Sequence, residues 1–208
     1  MGLDMYFKKI KKVKNKSVIE LLEIQHKINY SENESEKEKL IKLYNDFLEK
    51  NYYEWLEKDY YSFDTEIGYL RKANAIHNFI VKKYNNGVDN CEPILLDKEK
   101  IEEMFEIVKK LIYECKLING KLENGYTYKK NDNGKLVKEY NYENGYILDQ
   151  KSKKLASELL PTRDGFFFGS TEYDQWYYKK VKDTIEIIEK VLAETDFEHE
   201  IVMYSSSW

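Results

Sequence analysis

Arg71 and Arg163 are the only arginines in a 208-residue chain that uses lysine, asparagine and tyrosine freely. A guanidinium offers a planar, five-donor fork that grips phosphate or carboxylate in a way an ammonium cannot. Around Arg71, the run Glu66 to Asn78 reads as helical, and Arg71, Asn74 and Asn78 at i, i+3 and i+7 then form a polar stripe with His77 on its flank. Such a stripe can read an anion or an amide edge. The second segment runs from Leu159 to Tyr177. There Gly165 to Phe168 reads as a short apolar strand that leads into Gly169-Ser170-Thr171 at the start of a helix. Free N–H groups and hydroxyls at the positive end of a helix suit a phosphate. Thr162 adds a hydroxyl, and Phe168, Tyr173 and Trp176 supply rings able to stack on a base. Simpler duties compete with each reading. Asn74 and His77 can be buried groups that hydrogen-bond a neighbouring loop, Gly-Ser-Thr can merely cap a helix, and aromatics at helical spacing usually pack in a core. The turn also lacks the lysine and the spacing of a phosphate loop.

No standard catalytic set is present: HExxH, GxSxG and any Cys-His signature are missing, and His26, His77 and His199 are the only imidazoles. Asp164, Glu172 and Asp174 would have to converge to hold Mg²⁺, at a spacing generic among 38 acidic residues. Cys91 and Cys115 stand far apart with no partner at metal spacing, which predicts idle thiols in a reducing compartment. No cofactor is expected.

Several elements must position these groups. Leu3, Met5 and Phe7 alternate with Asp4, Tyr6 and Lys8, predicting a strand over Leu3 to Val13 that ends in a basic loop. Ser17 is placed to cap a helix carrying Val18, Leu21, Leu22, Gln25 and Ile28 on one face. Ser31 to Lys58 repeats the pattern with Leu40, Leu43, Phe47, Leu48 and Trp55, so the two helices pair. Asp64 and Thr65 are turn and cap formers, Gly68 breaks the pattern, and a third helix is expected from Tyr69 to Tyr84, stopped by Asn86-Gly87. Cys91 to Leu96 reads as an edge strand beside Pro93, and Asp97 caps a helix that ends near Asn119-Gly120. Asn-Gly pairs at Asn119, Asn124, Asn133 and Asn144 predict a polar β-meander, because Asn-Gly favours the positive φ of hairpin turns. A short helix over Ser152 to Leu159, a last long helix opened by Thr171 and Asp174, and a strand over Glu200 to Tyr204 complete the chain. Hairpins without a βαβ period predict a single α+β domain over residues 1–208, with a mostly antiparallel sheet, a helical insertion at about 31–60 and the meander at about 119–149.

Hydrophobic residues form 42% of the chain and charged residues 35%, a globular balance, and the net charge is −4. That charge gives no field for gathering nucleic acid, so nucleic acid is not an expected partner. No apolar run is long enough for a signal peptide or a membrane helix, which predicts a cytoplasmic protein.

Three stretches carry a family likeness. Met1-Gly2-Leu3-Asp4-Met5-Tyr6, Gly68 to His77 (GYLRKANAIH) and Gly165 to Asp174 (GFFFGSTEYD), together with the Ser-Ser-Trp end, resemble an uncharacterised family of small bacteriophage and prophage proteins. The likeness covers most of the chain outside the second helix and the meander. It brings no established activity and no catalytic residue with it; family members often carry an aromatic where this chain has Leu70. The context implies an accessory protein that blunts host defence. Two mechanisms fit the residues: sequestration of a small anionic, nucleotide-like signal, or inhibition of a host defence protein through a tyrosine-rich surface. A metal-dependent nucleotide hydrolase is the third, and a homo-oligomer is compatible with all.

Overall fold

Apolar alternation near the N-terminus does produce a strand, β1 (Asp4–Lys11), with Leu3, Met5 and Phe7 all buried on one side. In the computed structural model, which describes residues 2–11, 18–51 and 64–208, β1 lies inside a four-stranded sheet. Its neighbours are β2 (Asp64–Arg71) and β6 (Glu200–Ser207), both antiparallel to it, and β6 in turn pairs with β3 (Ile94–Leu96). The expected Ser17 cap, the basic loop and the end of the second helix around Trp55 lie outside the described residues.

Period-2 geometry divides the sheet residues between two helical layers. Phe7, Leu96, Val202 and Tyr204 join the main core with α3 (Asn74–Tyr84), α4 (Lys98–Glu114), α5 (Gln150–Leu159) and α6 (Gln175–Glu194). On the other face Ile10 and Met203 meet Leu21, Ile24, Ile28 and Tyr44, from α1 (Val18–Tyr30) and α2 (Glu34–Asn51). On α2 Tyr44 is buried, whereas the expected Leu43 is exposed. The chain is thus a single α+β domain, with its sheets antiparallel.

Three expectations need correction. Asp64 to Arg71 is strand β2 and not the start of a helix, because pairing along the whole of β1 outweighs local preference. Gly68 is a close-approach residue: a Cβ there would sit 2.3 Å from Ile187 Cγ2 of α6. The predicted strand Gly165 to Phe168 is a turn in an irregular loop, linked to the sheet's margin only where Leu3 N–H donates to the Phe167 carbonyl (3.1 Å). The meander is one long hairpin arm, β4 (Leu117–Lys130) and β5 (Leu136–Leu148), forming its own two-stranded sheet, so α4 ends at Glu114, short of Asn119.

Candidate functional site

Arg71 ends β2, and three residues later Asn74 opens α3, so the two do not share a helical stripe. Lys72 makes the bend between them in a left-handed conformation (φ 55°), with its N–H held by the Leu3 carbonyl at 2.7 Å. This bend aims Asn74, His77 and Asn78 inward at the loop between α5 and α6. Asn74 Nδ2 donates to the carbonyls of Phe168 (3.1 Å) and Ser170 (2.8 Å), and its Oδ1 accepts from Arg163 N–H (3.2 Å). One level down, Asn78 Nδ2 donates to the Pro161 carbonyl (2.9 Å), and the Tyr177 hydroxyl donates to that of Leu160 (3.0 Å). Inside the loop Thr162 N–H donates to the Tyr173 hydroxyl (3.2 Å) and Thr162 Oγ1 to the Thr171 carbonyl (3.0 Å). A loop with no ladder of its own is thereby fixed by side chains.

His77 lies at the centre, 0% exposed. Its Nε2 meets Asp89 Oδ2 at 3.0 Å, its Nδ1 meets the Tyr204 hydroxyl at 2.6 Å, and Arg163 Nη1 reaches the same Asp89 oxygen at 2.8 Å. Burial pushes the His77 pKa down against the opposing pull of the Asp89 bond. The ring is therefore neutral, donating from Nε2 to the carboxylate and accepting from Tyr204 at Nδ1. Arg163 also covers the Phe168 ring, 5.5 Å from guanidinium carbon to centroid, while His77 meets that ring edge-on. The second arginine is thus a clasp on Asp89 and Phe168.

Beside the clasp is a cavity of about 380 Å³, inside the size range of small-molecule sites. Arg71, Asn74, Thr162, Gly169, Ser170 and Trp176 line it, so the two sequence segments share one concavity. His77, Phe168, Thr171 and Tyr173 do not line it; His77 and Phe168 are buried, and Tyr173 meets Tyr177 edge-on. Gly169-Ser170-Thr171 is not a helix N-terminus. Asp174 is the cap of α6, its Oδ1 accepting from Trp176 N–H (2.8 Å) and Tyr177 N–H (3.0 Å), so the dipole end lies four residues downstream of Ser170. Burial raises the Asp174 pKa, against the lowering effect of those two amides.

Lys72 and Lys180, which sequence reasoning missed, also line the cavity, as does Glu172. A signal existed in the adjacency of Lys72 to Arg71 but was lost among 34 basic residues. Two glycines make room for the cations. A Cβ on Gly2 would lie 3.3 Å from Arg71 Nη2, and one on Gly169, whose φ is +90°, would lie 3.3 Å from Lys72 Cβ. Arg71 keeps only a loose contact with Asp4 (Nε to Oδ1 3.7 Å), an acid that also accepts the Tyr69 hydroxyl, and its side chain is 54% exposed. An exposed pair at that distance contributes little, leaving most of the fork for another anion. Lys180 faces Asp183 at 3.6 Å and Glu172 faces Lys153 at 3.9 Å, equally loose.

A wider groove of about 830 Å³ runs between α1 and the segment Asn90 to Pro93. Its Lys8 and Asp64 already bond each other at 2.7 Å. Cys91 on its edge and buried Cys115 are both free, and burial raises both thiol pKa values, which disfavours the reactive thiolate. Among the described residues Asp196, Glu198 and His199 bring ligand atoms within 4.8 Å of one another on an exposed turn after α6. At 1.5 Å per residue α6 runs about 21 Å from Lys180 to its end at Glu194, so that turn lies at the far end of the helix from the cavity-lining Lys180. No helix among the described residues is long and apolar enough to cross a membrane. No family model matches the chain, and no curated protein or solved structure matches it either.

Proposed function

We propose that the cavity binds a small anionic ligand of the nucleotide class and that the protein acts by sequestering it, as a phage-encoded accessory protein that blunts host defence would do. One observation carries this reading: Arg71, Lys72 and Lys180 surround the same 380 Å³ cavity as Ser170 and the exposed indole of Trp176. The cations suit phosphate oxygens and the indole suits a base. Asn74 is committed to the loop, so its role is to hold Ser170 in place rather than to read the ligand. Incubation with a nucleotide panel, removal of unbound material, heat denaturation and chromatography of the released fraction test the proposal. Intact nucleotide is the expected result; failure to retain any member of the panel would sink it.

A second reading, metal-dependent nucleotide hydrolysis, has its own observation in the Asp196, Glu198 and His199 cluster, whose oxygen and imidazole donors suit a divalent ion. His199 Nδ1 already pairs with Asp196 Oδ2 at 2.8 Å, and this holds the Asp196 carboxyl below its ordinary pKa. Repeating the release experiment with Mg²⁺, with Mn²⁺ and with chelator separates the two. Conversion that needs metal and disappears in Asp196→Asn supports hydrolysis. Release of intact nucleotide under every condition supports sequestration.

A further inference from the structure

The hairpin arm is an incomplete sheet. Its pairing places Tyr126, Tyr128, Tyr140, Tyr142 and Tyr146 on one face, since Tyr126 opposes Tyr140 and the remaining three lie at even-numbered steps along their strands. All five are exposed, and among the described residues no helix covers the part between Tyr126 and Tyr142. Two strands alone are marginal in water; a third strand is the usual remedy.

The two free edges differ. On β4 the ladder is broken at Asn124-Gly125, where the register shifts between Glu123 and Tyr126 and Gly125 takes a φ of 76°. Such a bulge blunts an edge. The β5 edge is regular, and its lower end is already in use: Leu148 N–H donates to the Tyr173 carbonyl (2.9 Å) and Tyr146 N–H to Gln175 Oε1 (3.0 Å). Those bonds show which amides face outward. Because backbone direction alternates along a strand, the outward set continues through Asn144, Tyr142, Tyr140, Lys138 and Leu136, where among the described residues no backbone group of the body hydrogen-bonds it. At the hairpin end Asn131 N–H bonds the Lys135 carbonyl (2.9 Å), which fixes the odd-numbered residues as the inward set.

We infer that this open edge pairs with the β5 edge of a second copy of the chain, antiparallel about a two-fold axis at Tyr140. Tyr140 is the midpoint of the open stretch from Leu136 to Asn144, and pairing about it sets outward amides opposite outward amides. In that register Lys138 faces the second copy's Tyr142, Glu139 faces its Asn141 and Val137 faces its Glu143. No like charges are opposed, whereas centring one residue earlier would put Glu139 against its own copy and one residue later would put it against Glu143. The product is a four-stranded sheet with both tyrosine faces continuous on one side, closed by two-fold symmetry.

Sedimentation velocity over a concentration series on the intact chain tests this, together with hydrogen exchange of the arm amides. The expected result is a monomer–dimer equilibrium in which the amides of Lys138, Tyr140 and Tyr142 gain protection as concentration rises. Tyr140→Pro removes an outward N–H and leaves the ladder to β4 intact, which protection of the Val137 and Glu139 amides verifies. It should weaken the dimer at least tenfold. A chain that stays monomeric throughout overturns the inference, and so does a dimer that survives Tyr140→Pro with those amides still exchanging freely. Protection of the tyrosine face by an added oligothymidine, without dimerisation, would overturn it in favour of single-stranded nucleic acid as the occupant.

Discussion

Two parts of the molecule leave the main sheet on long excursions, and they are ordered by opposite means. The loop from Leu160 to Tyr173 has no ladder, yet buried side chains of α3 and α6 hold it by its carbonyls: Asn74, Asn78 and Tyr177 each reach into it. The β4–β5 arm has a ladder along its length, interrupted only by the bulge at Asn124-Gly125, and almost nothing else, its outer two-thirds exposed on both faces. Long-range side-chain bonds fix a shape that can serve as a cavity wall, whereas a local ladder fixes only itself. The cations that line the cavity, Arg71, Lys72 and Lys180, accordingly sit beside the clasped loop.

The largest effect should come from breaking the clasp. Asn74→Ala removes bonds to Phe168, Ser170 and Arg163 at once and strands three buried or half-buried backbone groups. At about 1 to 3 kcal/mol for each unsatisfied group, partly relieved by water, the loss should reach roughly 3 to 5 kcal/mol in a urea titration. A loss below about 1 kcal/mol would mean that the loop holds itself, as the arm does.

Acid should open the same region next. The folded-state pKa of His77 is depressed below 6.5 by burial, so the unfolded chain binds a proton there that the folded chain refuses. Stability from this group is full above pH 6.5 and falls as the pH drops from 6.5 through the folded pKa. The slope of stability with pH over that window should flatten in His77→Gln, which cannot titrate. An unchanged slope would show that His77 is charged in the fold and that Asp89, rather than burial, governs it.

The comparison also explains which features were legible in the sequence. Leu3, Met5 and Phe7 announced β1, and Asp97 and Asp174 announced the starts of α4 and α6, because alternation and capping are local. The Gly165 to Phe168 turn was misread as a strand because its shape is imposed by Asn74, about ninety residues away. Likewise β2 exists through its pairing with β1, and Gly68 is small for the sake of Ile187. In the arm, four Asn-Gly pairs suggested several turns, but only Asn133-Gly134 makes one. Gly120 and Gly145 oppose each other within the ladder, where a Cβ would strike Ile147 at 2.6 Å and Leu122 at 2.3 Å. As for the site, Arg71 stood out by its rarity, while the role of Arg163 depended on Asp89, which carried no signal at all.

A smaller effect on stability, with a clear one on binding, should follow at the rim of the cavity. Arg71→Lys keeps the charge but loses the fork, and because the Asp4 contact is loose and exposed the melting temperature should hardly move. Affinity for an anionic nucleotide, read by isothermal titration calorimetry, should fall roughly tenfold, in line with about 1.5 to 3 kcal/mol for a charge-assisted bond. A melting temperature that falls while affinity holds would reassign Arg71 to the structural side of the comparison.

The smallest effect is expected in the arm. Replacing Tyr126 to Tyr142 with a short Gly-Ser link removes the bulge-distal ladder, the tyrosine face and the hairpin turn, but it leaves Leu122, which is buried, and Leu148, which joins the main core. The bonds from Leu148 and Tyr146 to the α6 entrance also remain. What is lost stabilises only itself, and a two-stranded ribbon contributes little net free energy, so the stability of the body should change by less than about 1 kcal/mol. Ligand retention in the cavity should be unaffected, because no residue beyond Glu123 on β4 or before Tyr142 on β5 lines it. Self-association through β5, by contrast, should vanish with the excised edge. If the excised chain folds but no longer retains nucleotide, then the arm closes over the cavity from the second copy, and clasp and arm form one site.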